Sequence, residues 1–149
     1  MKPRELIATA AIPGGDTLQL YRRDGDFMIM LGGNELMSSR ARGSEEALAA
    51  MTCERLGNAA SAHLLIGGYG MGFTLRAALA ALAALGENAR VTVAELVPEI
   101  IAWARGPMAA LTNGCLDDPR VRVVTGDVGA VIAGAAKTYD AILLDVDNG

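Results

Sequence analysis

Histidine is almost missing from this 149-residue chain, with His63 its single copy, and cysteine occurs twice, at Cys53 and Cys115. There is no C-x-x-C pair. One His and two distant Cys cannot assemble a His/Cys metal cluster, so no metal is expected. The two thiols read as reduced residues of a cytoplasmic protein rather than as a disulfide. Aromatic residues are scarce as well, at 4% against an apolar share of 52%, so the core must be built from Ala, Leu, Val and Ile. Such a composition is globular, and its length suits one folding unit.

Basic residues are few and unclustered: 13 Lys and Arg stand against 17 Asp and Glu, for a net charge of -4. That balance excludes long-range attraction to nucleic acid or to an anionic membrane. No run reaches the roughly 20 apolar residues needed to span a bilayer. The most apolar segment, residues 73–85, contains Arg76 and reads as a buried helix. The N-terminus MKPRELIATAAIPGG starts basic, but its apolar part is short and ends in Pro-Gly-Gly, unlike a signal peptide.

What is abundant is glycine, and its placement organises the chain. Residues 18–23 (LQLYRR) and 27–31 (FMIML) flank Asp24-Gly25-Asp26, a strong hairpin signal. Gly32-Gly33-Asn34 is expected to break the second strand. Ser44 can cap a helix to about Leu56, stopped by Gly57-Asn58. Strands are then expected at 63–66, 91–95, 121–124 and 139–144, with helices at 73–85, 98–104 and 128–136 between them. Gly86 marks one helix end, and Pro98 occupies a favoured first helical position. Alternation of this kind predicts a doubly wound, mostly parallel Rossmann-like α/β sheet preceded by a small N-terminal β-hairpin. The division expected is an N-terminal part at 1–43 and a nucleoside-binding part at 44–149. The fourth strand ends at Asp145, and as the last strand of the sheet it leaves an open edge. We expect the natural protein to continue beyond Gly149, or a second copy to cover that strand in a homodimer.

In open α/β sheets ligands bind outside the carboxyl ends of the strands. Here the first parallel strand runs into Gly67-Gly68-Tyr69-Gly70-Met71-Gly72. The next three end at Glu95, Asp127 and Asp145 with Asp147. The loop lacks the Lys-Ser/Thr of a phosphate-binding P-loop, since Phe73-Thr74 follow Gly72. Carboxylates suit hydroxyls, amino groups and cations. The spacing of the glycines is G-x-G-x-G, one residue short of the dinucleotide fingerprint, which argues against an NAD-dependent oxidoreductase. Plainer roles exist for each residue: Asp127 can cap the helix that starts at Val128, and Glu95 can be a strand-end residue. Tyr69 either lines the ligand pocket or covers it. His63 and Trp103 read as packing residues. Ser38, Ser39, Arg40 and Arg42 read as polar loop.

The G-x-G-x-G loop, the acid ending the second strand and Gly126-Asp127 ending the third resemble the class I S-adenosylmethionine-dependent methyltransferase fold. Within it the chain is most similar to the spermidine synthase (polyamine aminopropyltransferase) branch. The loop opens Ile66-Gly67-Gly68 as that branch does. Residues 122–127 (RVVTGD) look like its adenine-binding segment, and 139–145 (YDAILLD) like its Tyr-Asp-x-Ile-x-x-Asp strand. The resemblance implies that Gly67, Gly68, Gly70 and Gly72 let the backbone approach a nucleoside. It implies that Glu95 binds ribose hydroxyls and that Asp127 accepts from the adenine amine. Asp145 and Asp147 would lie at the reacting centre beside an amine nucleophile. The implied cofactor is S-adenosylmethionine or its decarboxylated form, and the implied partner is a small amine. Gly70 stands where the branch carries an aspartate for the amino end of the transferred chain. The alternatives are methyl transfer from S-adenosylmethionine itself and a non-catalytic dimerising homologue.

Overall fold

The computed structural model describes residues 2–40, 43–56, 61–83, 88–135 and 138–144. Arg42, Gly57-Asn58, Gly86, Asp145 and Asp147 lie outside the described residues.

The N-terminal part is a four-stranded antiparallel sheet in the order β1-β2-β3-β4. Its strands are β1 (Glu5–Ala11), β2 (Thr17–Arg23), β3 (Asp26–Leu31) and β4 (Asn34–Ser38). The expected hairpin is β2–β3, with Arg23 paired to Asp26 and Asp24 at φ 54° in the turn. Two strands were not foreseen. Gly32 and Gly33 do not end the sheet; with φ 55° and 90° they form a two-residue turn into β4. Positive φ at both central residues matches the twist of the flanking strands, and glycine adopts it freely. β1, ELIATAA, is rich in Ala and Thr and mostly exposed, so its sequence carries little alternation. Leu18, Leu20, Phe27 and Ile29 point to one side of this sheet and are buried.

The rest alternates helix and strand. α1 (Gly43–Leu56) leads to β5 (His63–Gly67), α2 (Phe73–Leu82), β6 (Arg90–Glu95) and α3 (Pro98–Arg105). Two short 3-10 turns, Ala109–Leu111 and Cys115–Asp117, precede β7 (Val121–Thr125), α4 (Val128–Ala135) and β8 (Ala141–Leu144). The strands form a parallel sheet in the order β7-β6-β5-β8. β5, β6 and β7 step in one direction and β8 returns to the far side of β5. The winding therefore reverses at β5, and the loop after β5 sits at that reversal. Leu64, Leu65 and Ile66 are all buried, so both faces of β5 are covered, as its unbroken apolar run requires.

A single buried cluster joins the two sheets: Leu18, Leu20, Phe27 and Ile29 share it with Leu64, Ile66, Val97 and Ile100. The N-terminal sheet thus packs against the parallel sheet near the carboxyl ends of its strands. Trp103, expected as a packing residue, is buried in the same cluster.

Candidate functional site

The loop after β5 takes its shape from glycines at φ 93° (Gly68), 58° (Gly70) and 85° (Gly72). Gly68 N–H donates to Ala94 O at 2.7 Å, tying the loop to the end of β6. Glu95, the last residue of β6, is 6% exposed. Its Oε1 accepts from Tyr69 N–H and its Oε2 from Val97 N–H, each at 2.9 Å. The carboxylate is therefore a bracket between the glycine loop and the start of α3. Each carboxylate oxygen has a further lone pair, so Glu95 can still accept hydroxyl donors.

A cavity of about 190 Å³ opens at this point. On one side it is lined by Gly68, Gly70, Glu95, Leu96, Val97, Ile100 and Val128. Its opposite wall comes from the N-terminal part: Ile12, Leu18, Ile29, Leu36 and Met37. The site is thus an apolar slot with one carboxylate and glycine backbone at one end, suited to a flat heterocycle carrying hydroxyls.

Of the four candidate glycines, Gly68 and Gly70 line this cavity, whereas Gly67 and Gly72 do not. A Cβ on Gly67 would lie 2.6 Å from Val128 Cγ1 and 3.0 Å from Leu144 Cδ2, so that glycine admits the start of α4 beside β8. A Cβ on Gly72 would lie 2.6 Å from both Thr112 Cγ2 and Tyr69 Cζ. Tyr69 neither lines nor covers the pocket: its side chain is folded behind the loop, 2% exposed. Its hydroxyl is 3.4 Å from Thr112 Oγ1. Burial pushes the Tyr69 phenol above its ordinary range, with the Thr112 hydrogen bond pulling the other way.

Asp127 is exposed and caps α4, its Oδ2 accepting from Ala130 N–H at 2.9 Å. It is not among the residues lining the cavity. His63 lies at the opposite, amino end of β5, its Nε2 2.9 Å from Thr92 Oγ1 and its backbone N–H donating to Asp140 Oδ2. Burial, then Arg90, lowers its imidazole below the ordinary range, with Asp140 opposing. Ser39 Oγ accepts from Phe27 N–H and Ser38 Oγ from Arg40 N–H, so these polar residues hold the end of β4. Among the described residues, no group of three or more His, Cys, Asp and Glu is arranged to hold a metal ion. None of their helices is long and apolar enough to cross a membrane. Cys53 and Cys115 are free thiols. The hydrocarbon wall and Thr112 were not foreseen, because Ile, Leu, Met and Thr in strands and loops carry no chemical signature.

No protein-family model matches the chain. Over 86 residues, 56% of its length, it is 38% identical to polyamine aminopropyltransferase 1 of Streptomyces coelicolor. It spans 15% of that protein. The solved spermidine synthase of Thermotoga maritima superposes with a TM-score of 0.71 at 20% identity, over 94% of this chain and 48% of that one. The chain has the fold of spermidine synthase. MnmC2 of Aquifex aeolicus superposes more loosely, with a TM-score of 0.52 at 18% identity, over 99% of this chain and 50% of that one. The spermidine synthase-like fold includes both sheets, since the superposition with the Thermotoga protein runs over almost the whole chain. It also accounts for the position of the cavity, at the carboxyl ends of β5 and β6 where the winding reverses.

Proposed function

We propose that the chain is the nucleoside-binding part of a polyamine aminopropyltransferase. Its donor substrate is decarboxylated S-adenosylmethionine and its acceptor a small amine. The observation that carries this reading is the cavity bounded by Gly68, Gly70 and Glu95, in a fold shared with spermidine synthase. The sequence likeness to an aminopropyltransferase supports it independently.

In this reading the ribose hydroxyls donate to Glu95, whose carboxylate is already held by two backbone N–H groups and so needs no rearrangement on binding. The apolar wall of Ile12, Leu18, Ile29, Leu36 and Met37 packs against the heterocycle and keeps water out. Asp127 reaches the adenine amine while capping α4, and Asp145 and Asp147 hold the acceptor amine. The reaction is a displacement at the carbon next to the sulfonium. The amine lone pair forms the new C–N bond, the C–S pair stays on sulfur as a neutral thioether, and the nitrogen gives up a proton. Alignment and an unprotonated nitrogen are what the protein must supply.

A second reading, methyl transfer from S-adenosylmethionine, has one observation in its favour. Gly70, not an acid, faces the cavity, and Glu95 is the sole carboxylate among the lining residues described. Calorimetry with the two sulfonium donors separates the readings. Tighter binding of the decarboxylated donor, with aminopropyl transfer to a diamine detected by mass spectrometry, is the expected result. Equal binding of both donors, or binding of neither, sinks the proposal.

A cytoplasmic homodimer completes the reading. Two free thiols fit a reducing compartment. β8 pairs only with β5 among the described residues and exposes Ile142 (38%) and Leu144 (55%), which supports pairing with a second copy. A chain that sediments as a monomer at micromolar concentration would remove the dimer.

A further inference from the structure

Tyr69 is an odd residue for a loop of glycines. It is large, stiff and buried, and it does not touch the cavity. Its backbone, however, takes part in the site from both ends. Its N–H donates to Glu95 Oε1, and its carbonyl accepts from Gly72 N–H at 3.0 Å, closing the turn. The side chain leaves this turn on the far side. There it fills the space beside Gly72 that any Cβ would otherwise claim.

The surface that receives the ring is the segment between α3 and β7. Thr112 is 3% exposed, and its carbonyl accepts from Cys115 N–H and Cys115 Sγ, fixing the bend between the two 3-10 turns. A second tie runs from α2, which follows the loop, to the same segment, Arg76 Nη1 donating to Leu111 O at 3.0 Å. The front of the loop thus faces the cavity, while its back is pegged to a turn that has no other part in the site.

We propose that Tyr69 is a positioning residue: its buried ring sets the curvature of the loop, and its backbone N–H thereby holds Glu95 where a vicinal diol can reach it. The inference rests on the nucleoside reading above for its ligand, but its geometry stands apart from it. Gly72 is glycine on this account because the peg occupies its side-chain space, not because a ligand approaches there. The phenol oxygen matters less than the ring, since its 3.4 Å separation from Thr112 Oγ1 is long for a hydroxyl hydrogen bond.

The test compares Tyr69→Ala, Tyr69→Phe and Leu82→Ala in the full 149-residue chain. Leu82 is buried at the far end of α2, so its truncation loosens the same helix without touching the loop. Two readouts are taken: calorimetric affinity for decarboxylated S-adenosylmethionine, and amide hydrogen exchange at Tyr69 and Val97 without ligand. Tyr69→Ala is expected to weaken affinity by about 10- to 100-fold, the scale of a misplaced binding group. It should also speed exchange at Val97, whose N–H is held by Glu95. Tyr69→Phe restores both. Leu82→Ala lowers the melting temperature but leaves both readouts near wild type. Equal losses in Tyr69→Ala and Leu82→Ala mean that only stability is at stake and overturn the proposal, as does unchanged Val97 exchange in Tyr69→Ala. Should the alanine variant not fold, Tyr69→Leu takes its place with the same criteria. A wild-type chain that binds no sulfonium nucleoside refutes the proposed function, while the exchange comparison still decides the role of Tyr69.

Discussion

Glu95→Gln is the sharpest single perturbation of this site, because it changes hydrogen bonding at nearly constant shape. Two backbone donors converge on the carboxylate, Tyr69 N–H on Oε1 and Val97 N–H on Oε2, both at 2.9 Å. A glutamine has one acceptor oxygen and one amino group. Whichever way it turns, its amino group faces a backbone N–H, and one buried donor loses its partner. Such a loss costs about 1–3 kcal/mol. In a domain of this size each kcal/mol moves the melting temperature by about 2–4 °C, so a fall of roughly 2–12 °C is expected. The ligand side is separate. A hydroxyl donating to a charged acceptor is worth about 1.5–3 kcal/mol, so affinity for a ribose-bearing ligand should fall about 10- to 150-fold. Thermal denaturation without ligand and calorimetry with the sulfonium donors measure the two effects independently. An unchanged melting temperature would show that the bracket is not formed. A lowered melting temperature with unchanged affinity would remove Glu95 from the binding site and leave it a purely structural residue.

Substitutions at four further positions probe the frame around it. Gly72→Ala combines a φ of 85° with a Cβ only 2.6 Å from two buried side chains, so a loss of roughly 2–4 kcal/mol is expected in denaturant unfolding; Gly126→Ala, with open space around it, should stay within about 0.5 kcal/mol. Asp127→Ala should cost about 1 kcal/mol through the lost cap, whereas Asp127→Ser keeps a capping oxygen. Weakened nucleoside binding in the serine variant at wild-type stability is the expected result, and unchanged binding would restrict Asp127 to capping. Arg120→Met should flatten the acid limb of the stability curve. Arg120 hydrogen bonds hold the Asp118 carboxyl below its ordinary value of 3.8, so the stability that this pair contributes is complete above that pH. It is lost as pH falls through the depressed folded value, and a variant whose stability still falls as steeply below pH 3.8 as the wild type's would exclude the pair as a source of that limb.

The parallel half of the fold was legible because each of its strands is a short run containing Val, Leu or Ile bounded by glycine, proline or a carboxylate, although only β5 and β6 are buried along nearly their whole length. Residues 63–66, 91–95 and 121–124 were placed within a residue of the observed strands. Each carries enough Val, Leu and Ile that no helical period competes. The antiparallel half was legible only at β2–β3, where Asp24-Gly25 marks the turn. β4 was lost because Gly32-Gly33 reads equally well as a terminator and as a hairpin turn. The difference lies in the partner that Asn34 finds across the turn in Leu31, which no local rule states. β1 is followed by the turn Pro13-Gly14-Gly15 but lacks alternation, and it is a strand because β2 offers it an edge.

At the site the outcome divides by what each residue type can do. Carboxylates at strand ends announce themselves, and Glu95 was found that way. Its two backbone partners were not, because hydrogen bonds to main-chain N–H leave no trace in residue identity. The glycines show the opposite problem: a single letter stands for several physical demands. Gly68 and Gly70 bring backbone to a cavity wall, Gly67 makes room for Val128 and Leu144, and Gly72 makes room for Tyr69 and Thr112. A motif of evenly spaced glycines therefore mixes ligand approach with internal packing, and the intervening residue tells which is which. Tyr69 is too large to sit at the front of the loop without filling the slot, so its ring must go behind. Once it does, the glycine three residues later is required by packing and by its φ of 85°, with no ligand involved. The first parallel strand and its glycine loop thus specify a cavity wall and the side chain packed behind it, and of the four glycines Gly68 and Gly70 are the two that line the cavity.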